Sequence, residues 1–188
     1  MARLNSLGYA VRVDQPGQML RDYHTAKKYK KNGEFDRTYV TTRFYLQDAV
    51  FIVALSSDDT KLIDDVQMSV TNPYFSLFLG RRSLPPAADI FMGVFDEEAV
   101  SLLKKFDLQA SDWYRKKNGA SPLFIYADET LLSKGRIQIR NDNVISFSQM
   151  TGRKFNPRKE VGISIELPST IEREIIQDHD AFDAVGED

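Results

Sequence analysis

The sequence predicts an α+β protein: an incomplete ferredoxin-like unit carrying a long basic β-hairpin, followed by a smaller β-rich C-terminal region. Three observations carry that reading. Residues 19–46, MLRDYHTAKKYKKNGEFDRTYVTTRFYL, hold seven Lys or Arg against three acids, interleaved with four Tyr and two Phe. One helical period then separates two apolar runs, AVFIVAL at 49–55 and IFMGVF at 90–95. Beyond residue 122, short β-branched segments alternate with polar turns. The order strand, arm, strand, helix, strand resembles a split βαβ unit that lacks its opening strand and helix.

Each element has its own warrant. Residues 8–14, GYAVRVD, alternate apolar and polar positions as a half-buried strand does, and QPGQ at 15–18 signals a turn. Asn32-Gly33, flanked by Tyr29 and Phe35, is a hairpin cue, and YVTTRFY at 39–45 suits the returning strand. The continuous run at 49–55 predicts a central strand covered on both faces. Residues 56–60, SSDDT, offer helix N-caps; Leu62, Ile63, Val66 and Val70 recur at helical spacing, and Asn72-Pro73 ends the helix. Residues 74–86 begin apolar and break into Gly80, two arginines and two prolines. A strand is predicted at 90–95, then a helix at 97–106 with Ala99, Val100, Leu103 and Phe106 on one face. Strands are also predicted at 123–126, 136–139, 144–147 and 161–165. The predicted division is 1–95, with the arm at about 16–46, and 96–188, which ends in an acidic tail.

Composition sets the boundaries of function. At 188 residues the chain holds one domain or two small packed ones. It has no cysteine, which excludes disulfides and thiolate metal sites. No eighteen-residue apolar run crosses a membrane and the first residues lack the pattern of a signal peptide, so the sequence reads as cytosolic. The formal net charge of -2 conceals an asymmetry: residues 21–43 carry an excess of four positive charges, whereas 166–188 carry eight acids against one arginine. Opposite signs at the two ends suggest one surface that faces a polyanion and one that avoids it.

The basic arm has the residues that RNA binding needs. Lys27, Lys28, Lys30 and Lys31 suit phosphates, and Tyr23, Tyr29, Phe35, Tyr39 and Arg43 offer planes on which unpaired bases stack. An edge hairpin blunted by lysines has a similar composition. Gly80-Arg81-Arg82-Ser83 combines a backbone that admits close approach with bidentate donors, as a phosphate site does and as an ordinary surface turn also does. His24, beside Tyr23 and near Lys27, has the groups of a metal-free ribonuclease. Asp178-His179-Asp180 cannot converge on one ion from regular backbone, so no metal is predicted. There is no nucleophile elbow, P-loop or dinucleotide fingerprint, and nothing demands an enzyme or a cofactor.

Blocks in order add a resemblance. Val11-Arg-Val-Asp-x-x-Gly17 runs into Leu20-Arg-Asp-Tyr-His-Thr25; Tyr45-Leu-x-Asp-Ala-x-Phe-x-Val-Ala-Leu55 precedes the helix; Leu79-Gly-Arg-Arg-Ser-x-Pro85 follows it; Asp178-His-Asp-x-Phe182 stands near the end. Together they resemble the CasD family, the fifth-family CRISPR-associated RAMP subunits of the type I-E Cascade complex. The resemblance implies an RRM-like core whose thumb-like hairpin grips the 5′ handle of the CRISPR RNA, with the backbone and large subunits as further partners. It implies binding without RNA cleavage, because another subunit processes the RNA. The RNA-facing set is then Arg21, Tyr23, His24, Thr25, Lys27, Lys28, Lys30, Lys31, Arg43 and Tyr45 on the arm, with Arg81, Arg82 and Ser83 after the helix. Arg43 matches the thumb arginine of the family.

One departure carries an expectation. Family members open with a strand, a Gly-Pro-x-Gln-x-Trp-Gly loop and a helix entered through Ser-Gly; neither pattern is present, and the only tryptophan is Trp113. The resemblance then implies that the chain starts at the second strand of its first unit. That would leave 49–55 without a neighbour, with an exposed apolar surface and reduced stability. Two alternatives stand beside the binding reading: a metal-independent endoribonuclease acting on CRISPR precursor RNA, and an inactive truncated remnant.

Overall fold

Strand β1 (Gly8–Gln15) organises the molecule because its alternation separates two unlike faces. In a computed structural model describing residues 3–86, 90–118, 121–148, 150 and 152–166, β1 pairs antiparallel with β4 (Val50–Ser56) on one side and β5 (Leu123–Asp128) on the other. A hairpin of β2 (Gln18–Tyr29) and β3 (Phe35–Gln47) is inserted between β1 and β4 and forms a separate two-stranded sheet. With β6 (Arg136–Ser146) and β7 (Lys154–Ile165), the main sheet runs β4-β1-β5-β7-β6, and every one of its pairings is antiparallel. The architecture is α+β, with helices α1 (Thr60–Thr71), α2 (Ala99–Lys105) and α3 (Asp112–Asn118). No helix among the described residues is long and apolar enough to cross a membrane.

One face of the sheet is covered. Ala10 of β1, Ile52 of β4, and Ile125 and Ala127 of β5 pack with Ala99, Val100 and Leu103 of α2 in a single core. This is the apolar stripe that the helical spacing predicted. The opposite face is open. Val11 stands between Val53 and Tyr126, and Val13 between Phe51 and Phe124. Phe51, Val53, Leu55 and Phe124 are all exposed there. Helix α1 starts at an Asp59 N-cap whose carboxylate accepts the Leu62 N–H at 3.1 Å, and it buries only Leu62.

The covered face also contains charge. Arg12 and Asp14 are buried beside α2. The five N–H groups of a guanidinium are all used here. Nε and Nη2 donate to the two Asp14 oxygens at 2.6 and 2.8 Å, Nη1 to the carbonyls of Leu103 and Phe106 at 2.5 Å each, and Nη2 to that of Asp107 at 2.8 Å. Asp14 in turn accepts the Gln109 N–H at 2.7 Å. Arg12 therefore satisfies carbonyls at the end of α2 that the helix leaves unpaired, at the pole where a cation is favoured.

Several sequence expectations are corrected. Residues 49–55 form an edge strand of the described sheet and not a central one, since only β1 pairs with β4; the exposed apolar surface expected there is present. Residues 90–95 form no strand: Gly93 sits at φ 133°, outside extended conformation for L residues, and Phe95 turns to meet Phe106 edge-on. The segments 136–139 and 144–147 belong mostly to one strand, β6, because pairing with β7 carries it through Asn141-Asp-Asn143 with register shifts that absorb the turn signal. Helix α3 was not predicted; it buries no side chain and so has no apolar period to read. Strands from both sides of residue 95 share the sheet, β1 pairing directly with β5. The acidic tail beyond Glu166, with Asp178, His179, Asp180 and Phe182, lies outside the described residues.

Candidate nucleic-acid interface

The hairpin leaves the sheet through a root that the backbone fixes. Gly17 has φ 74°, and a Cβ there would lie 2.5 Å from the Gln47 carbonyl oxygen, so only glycine fits. Opposite it, Asp48 takes φ 55°. The buried Gln15 side chain ties the root down: its Nε2 donates to the Asp48 carbonyl at 2.5 Å, and its Oε1 accepts the Ser111 N–H and hydroxyl at 3.1 and 2.8 Å. At the other end, residues 30–34 close a loop around Gly33 at φ 85°. Tyr29 and Phe35 meet edge-on beneath it at 6.2 Å.

The register divides the predicted residues between two faces, since partners opposite one another in an antiparallel pair share a face and successive residues alternate. Arg21 faces Phe44, Tyr23 faces Thr42, Thr25 faces Val40, and Lys27 faces Thr38, with Met19 and Leu46 on the same side. The other side carries Leu20 with Tyr45, Asp22 with Arg43, His24 with Thr41, and Lys28 with Arg37. Tyr23 and Lys27 thus lie on the face opposite His24, so the three candidate groups of a ribonuclease are not brought together. Phe44, exposed and cross-strand from Arg21, was not among the predicted contacts. Strand parity alone would have placed it beside Tyr23.

Charge on this arm is of two kinds. Lys28 pairs with Asp36 at 3.3 Å and Lys30 with Glu34 at 3.3 Å, while Arg37 lies 3.8 Å from Asp36 and over the Tyr39 ring. Arg21, Lys27, Lys31 and Arg43 make no ion pair among the described residues, nor does Arg82 in the nearby loop. That loop is closed by the Leu79 N–H to Leu84 carbonyl bond at 2.8 Å and the Leu84 N–H to Arg81 carbonyl bond at 3.0 Å, with Gly80 at φ 86°. It presents Arg81 to the foot of the hairpin, where Nη2 donates to Asp22 at 2.7 Å and the guanidinium lies 4.7 Å from the centre of the Tyr45 ring. A groove of about 360 Å³ lies beside this contact, lined from both elements by Leu20, Asp22, Tyr45, Arg81 and Ser83.

A second charged cluster, on the open sheet face, is neutralised internally. Arg158 donates to Asp128 at 2.7 Å and to both Asp142 oxygens at 2.9 and 2.7 Å, with Tyr9 beneath it. The hydrogen bonds from Arg158 hold the Asp142 carboxyl below its ordinary range, and those bonds hold Arg158 the more firmly protonated. Burial pushes the Tyr9 phenol up. A cluster so satisfied leaves little charge for a polyanion. No group of metal-ligating side chains is found among the described residues.

Residues 2–159 match the profile of a family described as CRISPR-associated protein (Cas_Cas5). The chain belongs to that family. This Cas5-family chain is 30% identical over 125 residues to the CRISPR system Cascade subunit CasD of Escherichia coli (strain K12). That match takes in 62% of this chain and 56% of the relative, so it spans little more than half the relative's length. Among solved structures it resembles a chain of a CRISPR RNA-guided surveillance complex, with TM-score 0.64 and 26% identity over 89% of this chain and 71% of that one.

Proposed function

We propose that this chain is a non-catalytic RNA-binding subunit of a Cascade-type CRISPR surveillance complex, acting in antiviral defence, whose hairpin caps the 5′ handle of the CRISPR RNA. The observation that carries the reading is the hairpin of this Cas5-family chain: Arg21, Lys27, Lys31 and Arg43 without acidic partners, among exposed Tyr23, Tyr29, Tyr39 and Phe44. Cations released from internal pairing bind phosphates, and aromatic planes between them stack unpaired bases. The order β1, hairpin, β4, α1 is read as part of a ferredoxin-like RAMP unit with the hairpin as its thumb. The backbone and large subunits are the protein partners, the setting is cytoplasmic, and no cofactor takes part.

The test is co-expression of the tagged chain with the other Cascade subunits and a CRISPR array, followed by sequencing of the retained RNA. Lys27→Ala with Arg43→Ala lowers the recovered CRISPR RNA, and each lost phosphate contact flattens the salt dependence by roughly one unit of log–log slope. Unchanged RNA content in the purified assembly overturns the reading. Site-specific cleavage of repeat RNA in EDTA, abolished by His24→Ala, would replace it with an enzymatic one.

A further inference from the structure

We infer that Arg81 is a positioning residue: it latches the Gly80–Ser83 turn to the hairpin and, by engaging Asp22, leaves Arg43 free. As whole residues, Asp22 and Tyr45 are the two members of β2 and β3 that are half-buried. These are the two that Arg81 touches, at 2.7 Å to the carboxylate and 4.7 Å to the ring centre. The latch sits at the foot of the hairpin, where both of these residues lie. In the register Asp22 stands directly opposite Arg43 on the same face, so it is the cross-strand acid placed to neutralise that cation. Arg81 takes it instead. Of the loop's two arginines, Arg82 is the one left exposed.

The consequence for RNA rests on the binding role proposed above; the latch itself does not, and the experiment separates them. The sequence has no cysteine, so Ser76→Cys in the segment leading into the loop and Thr38→Cys on the hairpin, both exposed, give a cleanly spin-labelled pair. Pulsed electron spin resonance on the full chain reads the loop–hairpin distance, and co-expression reads the CRISPR RNA retained. Arg81→Ala broadens the distance distribution and lowers RNA retention about fivefold, the size expected for one partly exposed ion pair. Arg81→Asp combined with Asp22→Arg restores both. A distribution that stays narrow in Arg81→Ala overturns the latch. A charge swap that restores the distance but not the RNA also overturns it, because Arg81 then touches RNA itself. If the distances respond as expected while the unaltered hairpin retains no RNA, the latch stands and the RNA-binding role falls.

Discussion

Arg12 and Arg43 are both strand arginines, yet the chain uses them in opposite ways. Arg12 is buried, and all five of its N–H groups reach Asp14 or the carbonyls after α2. Arg43 is exposed on the hairpin and pairs with nothing described, because its cross-strand acid is taken by Arg81. A buried cation is tolerated only when every donor is matched, so Arg12 is committed to the fold. A solvated cation contributes little to stability and stays available for a ligand. The contrast teaches that an arginine in this protein is committed to the fold or left solvated by its neighbours, not by its residue type.

The comparison can be broken most forcefully at Arg12. Arg12→Ala leaves Asp14 buried without its partner and costs about 3–5 kcal/mol, measured by urea denaturation of the purified chain. In the same assay Lys27→Ala with Arg43→Ala stays within about 0.5 kcal/mol per substitution, so its loss of RNA is not a loss of fold. A cost at Arg43 as large as at Arg12 would erase the distinction.

The hairpin offers a second contrast, between root and tip. Gly17→Ala sets a left-handed backbone against a clash with Gln47 and costs about 1–3 kcal/mol. Gly33→Ala keeps the left-handed strain but meets open space, so the same denaturation series gives it the smaller loss. Equal losses would mean that steric fit at the root does not fix the hairpin.

The smallest effect is at the Arg158 cluster. The Asp142 carboxyl is held below its ordinary range by Arg158, so its contribution is full above the unfolded carboxylate value and is lost as pH falls through the lowered one. Asp142 is half exposed, which limits the effect to less than about 1 kcal/mol. Asp142→Asn removes that acid-side dependence, read as a flatter fall of stability between neutral and acidic pH. An unchanged pH profile would show that the pair contributes nothing measurable.

Much of this was legible in the sequence, for identifiable reasons. The hairpin followed from Asn32-Gly33 and the aromatic returning strand, and α1 and α2 from apolar spacing, because those signals are local. The family followed from the order of its blocks, and the structure accounts for residues in them: Arg12 and Asp14 form the clamp, and Gly17 turns into the hairpin. The strand expected at 90–95 and the central place that the apolar run suggested for 49–55 were misread because such a run does not reveal whether a neighbour pairs with it. By contrast, the unpaired side and the exposed apolar surface that the resemblance implied for 49–55 are present in the described sheet.

The sequence by itself determined the α+β class, the basic hairpin and the family, since periodicity, turn chemistry and motif order act over a few residues. Only the tertiary structure decided which cations are free. Asp22 and Arg81 are 59 residues apart and meet only after the chain has folded. Ion pairing depends on distance in space, and that pairing engages the acid that stands opposite Arg43.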